Sequence, residues 1–431
     1  MKTVSFCTLG CKVNQYETEA MLTLFKNKGY EIKSFDDVCD VYIINTCVVT
    51  SEAERKSRQM IGRAHKKNPN AIVAVVGCYS QMAPEKAESL KGVSVVVGTK
   101  DRKKIVELVQ EAQKSASPLM CVENILRERE YENLEIENYE DRTRAFVKIE
   151  EGCTEFCSYC IIPYTRGAVR SRSAESITEE VKRLVSNGYR EIVLTGIHIG
   201  SYGRDLGGKT LLDAIKAVDC VEGVERIRLG SVEPRVLTED FVREISKMEK
   251  MCDHFHVSLQ SGCDNTLERM NRKYTTDQYR EAIKRLRGAF ENPAITTDII
   301  TGFPGETEED FNTTLDFVKE IAFSEVHVFP FSPREGTKAF DMKDQIEKRV
   351  REERAKKLIE VASKLHEKYL ASFVGEKAEV LFEQKISDDE YEGHMRNYIK
   401  VRVKSTRDLT HKIVMVKLEK RENSVIVGKV I

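Results

Sequence analysis

No run of about 18 apolar residues occurs in this sequence, so it predicts no membrane-spanning helix. The opening Met1-Lys2-Thr3-Val4-Ser5-Phe6-Cys7 lacks the long apolar stretch and cleavage site of a secretory signal. Charge of one sign is not in excess either. Lys and Arg number 69 against 70 Asp and Glu, a formal net charge of −1, so any basic surface for a nucleic acid must be local. The stretch from Gly92 to Gly98-Thr99-Lys100 comes near a phosphate-binding loop, but its spacing fails G-x-x-x-x-G-K-[ST]. Internal repeats and low-complexity tracts are absent. With 41% hydrophobic and 32% charged residues the composition is that of a folded globular protein, and 431 residues imply two or three domains.

What the chain does have is cysteine, 12 in all. Without an export signal these point to reduced thiols, metal ligation and a cytoplasmic location rather than disulfides. Cys153, Cys157 and Cys160 fall in Glu151-Gly152-Cys153-Thr154-Glu155-Phe156-Cys157-Ser158-Tyr159-Cys160, a C-x3-C-x2-C spacing with no fourth cysteine close by. Structural zinc and ordinary electron-transfer clusters want four protein ligands. Three thiolates on a short loop suit a [4Fe–4S] cluster with one iron open to a small molecule; a zinc site borrowing a distant histidine is the alternative.

A second set, Cys11, Cys47 and Cys78, is spread along the chain, but each member follows the end of a predicted apolar strand. In a parallel sheet those ends share one edge, where ligands bind. Three thiolates there could hold a second cluster, or could be small buried residues. Cys7, Cys39, Cys121, Cys220, Cys252 and Cys263 read as structural.

Residues 1–126 alternate strands (Thr3–Leu9, Val41–Thr46, Ala71–Gly77, Val93–Val97) with helical patterns, predicting an open parallel α/β domain. Residues 127–141, rich in Glu, Asn and Arg, read as a linker. Residues 142–373 predict strands at Ala145–Ile149, Glu191–Thr195, Arg226–Leu229, His256–Gln260, Ile295–Thr301 and Val326–Phe331, a partial (β/α)6 barrel ending in a charged helical connector. Residues 374–431 read as a small β-barrel with strands Lys377–Glu383, Asn397–Val403, Lys412–Glu419 and Ser424–Val430. Between Arg396 and Arg421 nine Lys or Arg meet only two acids, after an acidic stretch from Glu376 to Glu392. A basic barrel face with Tyr398 and Lys400 would suit phosphate contacts and base stacking; a solvated charged sheet is the alternative.

The C-x3-C-x2-C loop, with an aromatic before its last cysteine, resembles the radical S-adenosylmethionine (radical SAM) superfamily. With both cysteine sets, the whole chain resembles the methylthiotransferases of that superfamily. Thr8-Leu9-Gly10-Cys11-Lys12-Val13-Asn14-Gln15-Tyr16-Glu17-Thr18 matches the opening signature, and Asn45-Thr46-Cys47 and Gly77-Cys78 match the other ligand sites. Gly152 through Pro163, Arg166-Gly167 and Arg170-Ser171-Arg172 match the radical SAM core. The resemblance implies a cluster domain, a radical SAM domain and a C-terminal TRAM-type RNA-binding barrel. Leu9-Gly10-Cys11-Lys12-Val13-Asn14 and Asn397-Tyr398-Ile399-Lys400-Val401 look most like the threonylcarbamoyladenosine branch.

By that resemblance Cys153, Cys157 and Cys160 hold a SAM-cleaving [4Fe–4S] cluster, and Cys11, Cys47 and Cys78 hold a second. Tyr159 would lie near the SAM adenine, Thr195-Gly196 at the methionine amine, and Glu233 and Gln260 at the ribose or carboxylate. Ser231 and Asp298 would complete the SAM site, with the turn Gly302-Phe303-Pro304-Gly305-Glu306 lining the adenine pocket. Arg166, Arg170 and Arg172 either reach substrate phosphates or form internal ion pairs. The implied reaction uses two SAM molecules to place a methylthio group on C2 of N6-threonylcarbamoyladenosine at position 37, in the anticodon loop of ANN-decoding tRNAs. A flavodoxin or ferredoxin would be the reductant. Isopentenyladenosine tRNA and a ribosomal-protein aspartate are the rival substrates of the same chemistry. An RNA-binding iron–sulfur sensor is the rival class, and leaves the SAM motifs at the strand ends unexplained.

Overall fold

The structure, a computed structural model, describes residues 1–136, 139 and 143–431. The N-terminal domain is a six-stranded parallel sheet, in spatial order Glu31–Lys33, Thr3–Thr8, Val41–Thr46, Ile72–Gly77, Val93–Val97 and Leu119–Cys121. The four long strands were expected. The two edge strands, three residues each, are too short to show a pattern in sequence. Val41–Thr46 is buried along its whole length, as suits a central strand covered on both faces.

The central domain has six parallel strands, Arg144–Glu151, Glu191–Gly196, Arg226–Leu229, His254–His256, Ala294–Thr301 and Glu325–Pro330. They form two sheets joined by the bridges Ile227↔Met251 and Val232↔Val257, which together make the partial barrel; a short antiparallel strand, Arg170–Ser171, closes the first edge. The strand expected at His256–Gln260 is displaced. Regular pairing covers His254–His256, and at Gln260 the backbone turns to φ 72°, leaving one isolated bridge to Ile299. Ala145, Val147, Ile149, Ile192, Leu194, Ile227, Leu229, Phe255, Val257 and Ile295 pack in the main core under the helices. Alternation along each strand therefore turns Arg144, Lys148, Glu150, Glu191, Thr195, Arg226, Arg228, His254, His256, Thr296, Asp298 and His327 to the barrel interior. An interior lined by charge is a site rather than a core.

The expected linker, residues 127–141, lies partly outside the described residues, which omit 137, 138, 140 and 141. Within it Leu134, Ile136 and Tyr139 are buried in the central core, and Tyr131 donates to the Lys148 carbonyl (2.8 Å). Residue 142, the expected start of the central domain, is also outside the description. After the Lys348–Ala371 helix the chain ends in a closed barrel of five strands, in order Lys377–Lys385, Glu390–Met395, Lys400–Lys404, Val425–Val430 and Ile413–Glu422. Sequence reading missed Glu390–Met395, whose Glu-Tyr-Glu-Gly start reads as a polar turn although Tyr391, Glu392 and Met395 are buried.

Candidate active site

The cluster loop begins where Arg144–Glu151 ends. Gly152 has φ +87°, and a Cβ there would lie 2.0 Å from the Ala168 carbonyl oxygen, so only glycine lets the chain enter the loop. The loop is tied down from several directions. The N–H of Cys153 donates to the Gly167 carbonyl (2.9 Å), that of Ser158 to Met270 (3.0 Å) and that of Cys160 to Cys157 (2.9 Å). Asn271 Nδ2 donates to the Phe156 carbonyl (2.9 Å). Cys153, Cys157 and Cys160 are half-buried, and burial pushes the free Cys160 thiol up to about 12. Arg272 Nη1 donates to Cys157 Sγ (3.1 Å), its Nη2 reaches Glu233 (2.8 Å), and its Nε donates to the Tyr274 hydroxyl (3.0 Å). Sequence reading missed Arg272; nothing marks it until the fold sets it beside the loop.

Around this loop the barrel brings together most of the expected SAM residues at its carboxyl-terminal mouth. Thr195 and Gly196 end the second strand, and a Cβ on Gly196 would meet Glu150 Oε2 at 2.8 Å. Glu150 was also missed. Its Oε2 accepts from the His198 N–H (2.7 Å), while its Oε1 is buried without a partner among the described residues. Burial pushes this carboxyl well above the usual range. Glu233 is the opposite case. Burial would raise it, but the His198 hydrogen bond and the Arg272 charge hold it well below that range. Gln260 sits at the mouth in its left-handed conformation, and Ser231 is exposed at the third strand's end. Asp298 is set deeper, 3.2 Å from His256 Nε2. Tyr159 packs edge-on to Phe303 (6.4 Å) in the expected Gly302–Gly305 turn.

The second cysteine set converges as the topology requires. Its strands are neighbours in the sheet, with Thr8 opposite Asn45 and Thr46 opposite Gly77. Cys11 caps the Lys12–Asn27 helix, and a Cβ on Gly10 would lie 3.1 Å from Cys47 Sγ. Gly77 has φ +98°, and a Cβ there would meet Asn45 Oδ1 at 2.5 Å. Asn14 Nδ2 donates to the carbonyls of Leu9 (2.7 Å) and Thr46 (3.0 Å), stitching the Cys11 loop to the Cys47 loop. Cys47 and Cys78 are buried and Cys11 is exposed. Arg166 Nε donates to Cys78 Sγ (3.3 Å).

Both sets fit iron–sulfur ligation. Each has a guanidinium on one sulfur, as buried thiolates require. Among the described residues, the groups with three ligand atoms within 4.8 Å of one another are His256–Asp298–His327 and Glu155–His198–Glu233, and neither includes a cysteine. Sulfurs around one tetrahedral zinc, at Zn–S of about 2.3 Å, would be closer than that limit. Neither cysteine set is drawn in that far.

Three expectations for RNA are corrected. Arg166, Arg170 and Arg172 are at most 2% exposed and cannot reach a phosphate. Arg166 pairs with Glu17 and Glu151, Arg172 with Glu180, and Arg170 Nη1 donates to the Ala168 carbonyl (2.9 Å). Tyr398 is not on an open face. His394 stacks on it (4.8 Å) and His254 lies tilted to it (5.1 Å), with Tyr398 and Lys400 lining a cavity of about 260 Å³ between barrel, long helix and central strands. The basic strands Lys400–Lys404 and Ile413–Glu422 are not adjacent, because Val425–Val430 lies between them, and Lys400 and Arg402 both pair with Glu392.

The fold and the three-cysteine loop at a parallel barrel's mouth define a radical SAM enzyme. The Radical SAM superfamily matches residues 147–318, and the uncharacterized protein family UPF0004 matches residues 3–98. The structure is similar to the radical S-adenosylmethionine methyltransferase TsrM of Kitasatospora setae, with a TM-score of 0.56 at 16% identity over 77% of this chain and 75% of that one, a likeness of fold alone. In sequence the chain is 44% identical to the threonylcarbamoyladenosine tRNA methylthiotransferase MtaB of Bacillus subtilis (strain 168), over 97% of this chain and 94% of that protein. It is 39% identical to the protein of the same name from Aquifex aeolicus (strain VF5), over 90% and 95%. It is 37% identical to the tRNA-2-methylthio-N(6)-dimethylallyladenosine synthase of Clostridium tetani (strain Massachusetts / E88), over 96% and 93%. The chain belongs to the radical SAM tRNA methylthiotransferases. It is an enzyme that uses SAM and a [4Fe–4S] cluster and acts on tRNA. No helix among the described residues is long and apolar enough to cross a membrane.

Proposed function

We propose that this enzyme converts N6-threonylcarbamoyladenosine at position 37 of ANN-decoding tRNAs to its 2-methylthio form, in the cytoplasm. In this reading it uses two SAM molecules, two [4Fe–4S] clusters and a flavodoxin- or ferredoxin-type reductant. The observation that supports it most is the presence of two three-cysteine sets, each with an arginine on one thiol. When bound, the groups supply a carbon radical able to take hydrogen from an unactivated adenine C2–H, and an open iron at which sulfur can wait. The chain's own residues do the rest. Cys153, Cys157 and Cys160 hold one cluster and Cys11, Cys47 and Cys78 the other, while Arg272 and Arg166 offset thiolate charge. Glu150 Oε1, buried with no donor among the described residues, would accept from the SAM ammonium; Thr195, Gly196, Ser231, Glu233, Gln260 and Asp298 would form the walls. A splayed anticodon-loop base can enter such an opening at modest cost.

The test is mass spectrometry of tRNA nucleosides from cells lacking the activity, with and without the protein. A methylthio increment on threonylcarbamoyladenosine is expected; an increment on dimethylallyladenosine instead would overturn the substrate. Cys153→Ala should abolish 5′-deoxyadenosine formation. Cys47→Ala should keep SAM cleavage and lose the thiolated product, and product from Cys47→Ala would remove the second cluster from the mechanism.

A further inference from the structure

Beside Cys11 the barrel interior carries more cation than acid. Arg228, 2% exposed, donates from Nε to Glu191 (2.7 Å) and from Nη1 to the Arg396 carbonyl (2.9 Å); its Nη2 is buried with no partner among the described residues. Arg144 pairs with Glu383 (2.8 Å). The two guanidiniums lie against one ring, 4.6 Å (Arg228) and 4.7 Å (Arg144) from the centre of Tyr398. His254 lies tilted to the same ring, its Nδ1 also without a partner among the described residues. The third cation is Lys12, the first residue of the helix that Cys11 caps. Its side chain is open to solvent and has no ion-pair partner among the described residues, and its helix packs against the barrel strands that begin with Arg144 and Glu191. Three cations share two acids, Glu191 and Glu383, and one buried N–H of Arg228 is unused, so an anion would complete the group.

We propose that Lys12, Arg144 and Arg228, with His254, form an anion subsite that takes the carboxylate of the target adenosine's N6 side chain. The proposal rests on the threonylcarbamoyl reading above. It follows from connectivity within the base: C2 and N6 belong to one ring system, so a base whose C2 faces the Cys11 side projects its N6 substituent within a lysine's reach. Helix dipole direction adds to it, since Lys12 opens a helix of 16 residues. An apolar dimethylallyl group would leave Lys12 and the unused N–H of Arg228 unanswered and would be rejected on that ground. A backbone phosphate of the anticodon loop offers the same chemistry, and the test separates the two.

Anticodon stem-loops carrying threonylcarbamoyladenosine, or its threonine carboxamide analogue, are titrated against the cluster-loaded protein by fluorescence anisotropy. Wild type should bind the carboxylate RNA about tenfold more tightly than the carboxamide RNA, the worth of one charge-assisted contact. Lys12→Met should cut that ratio to about threefold or less with iron per chain unchanged, and Lys12→Arg should restore it. Arg228→Lys, which keeps a cation for Glu191, should also lower it. Equal weakening of both RNAs would assign the cations to a phosphate and overturn the proposal, as would an unchanged ratio in Lys12→Met or no preference in wild type. Methylthiolation of the same RNAs is followed in parallel. Wild-type product on threonylcarbamoyladenosine with an unaltered binding ratio in Lys12→Met would sink the subsite and leave the substrate reading standing. Product only on a dimethylallyladenosine stem-loop would remove both.

Discussion

Single residues divide into those whose chemistry is written in local sequence and those that acquire it only in three dimensions. Both cysteine sets were legible, the first by its spacing and the second by each member's place at a strand end. Arg272 and Glu150 were not. Arg272 follows the Asp264–Arg269 helix, 112 positions after Cys160, and an arginine in such a stretch normally reads as solvated surface. Its three partners give it a role that a change can test. Arg272→Met removes the donors to Cys157 Sγ and Tyr274 and the ion pair to Glu233, while His198 and Arg235 still hold Glu233. The variant should fold, take up less iron on reconstitution and form 5′-deoxyadenosine at least about tenfold more slowly, since a charged hydrogen bond contributes about 1.5–3 kcal/mol. Arg272→Lys should recover only part of that, because one ammonium cannot span three directions. Unchanged iron content and rate in the methionine variant would make the arginine structural.

Elements were more legible than residues, and the exceptions have physical reasons. Nine of the strands in the two N-terminal domains were anticipated in place, because long apolar or alternating runs leave little choice, and a tenth, His254–His256, was read two residues late. Two edge strands of three residues carry no period, and Glu390–Met395 hid its buried side chains among acids. Where elements meet the site, glycine sets the geometry. Gly152 and Gly188 both have positive φ, +87° and +94°, but a Cβ on Gly152 collides with the Ala168 carbonyl and one on Gly188 meets nothing within 4 Å. Gly188→Ala should therefore cost only the left-handed strain of about 1–2 kcal/mol and leave iron content intact. Gly152→Ala must move the cluster loop off the strand end. Iron per chain should fall by more than half while the circular dichroism spectrum is retained. Equal iron in the two variants would show that the loop tolerates displacement.

For the whole molecule, the order of the three domains was legible, but the way the first two are locked together was not. Glu17, Glu132 and Glu151 meet Arg102, Lys148 and Arg166 in a network drawn from the Lys12–Asn27 helix, the Arg102–Lys104 turn, the segment read as a linker, the first barrel strand and the Ile162–Arg166 helix. Sequence shows these six as ordinary scattered charges; only the closed interface makes them partners. The network also reaches the chemistry, because Arg166 touches Cys78 and Glu151 adjoins the loop of Cys153. Burial would raise the Glu17 carboxyl, but Arg102, Arg166 and Lys148 hold it down, so it stays ionised. Glu17→Gln leaves a buried positive charge without an answer, a loss of about 3–5 kcal/mol. Glu52→Gln, which breaks an exposed pair with Arg55, should cost less than about 1 kcal/mol. Thermal denaturation should show a drop of several degrees for the first and little for the second. If the network aligns the two cysteine sets, Glu17→Gln should also lose methylthiolated tRNA faster than it loses SAM cleavage. A proportional loss of both would mean that the network holds the domains together without setting their register.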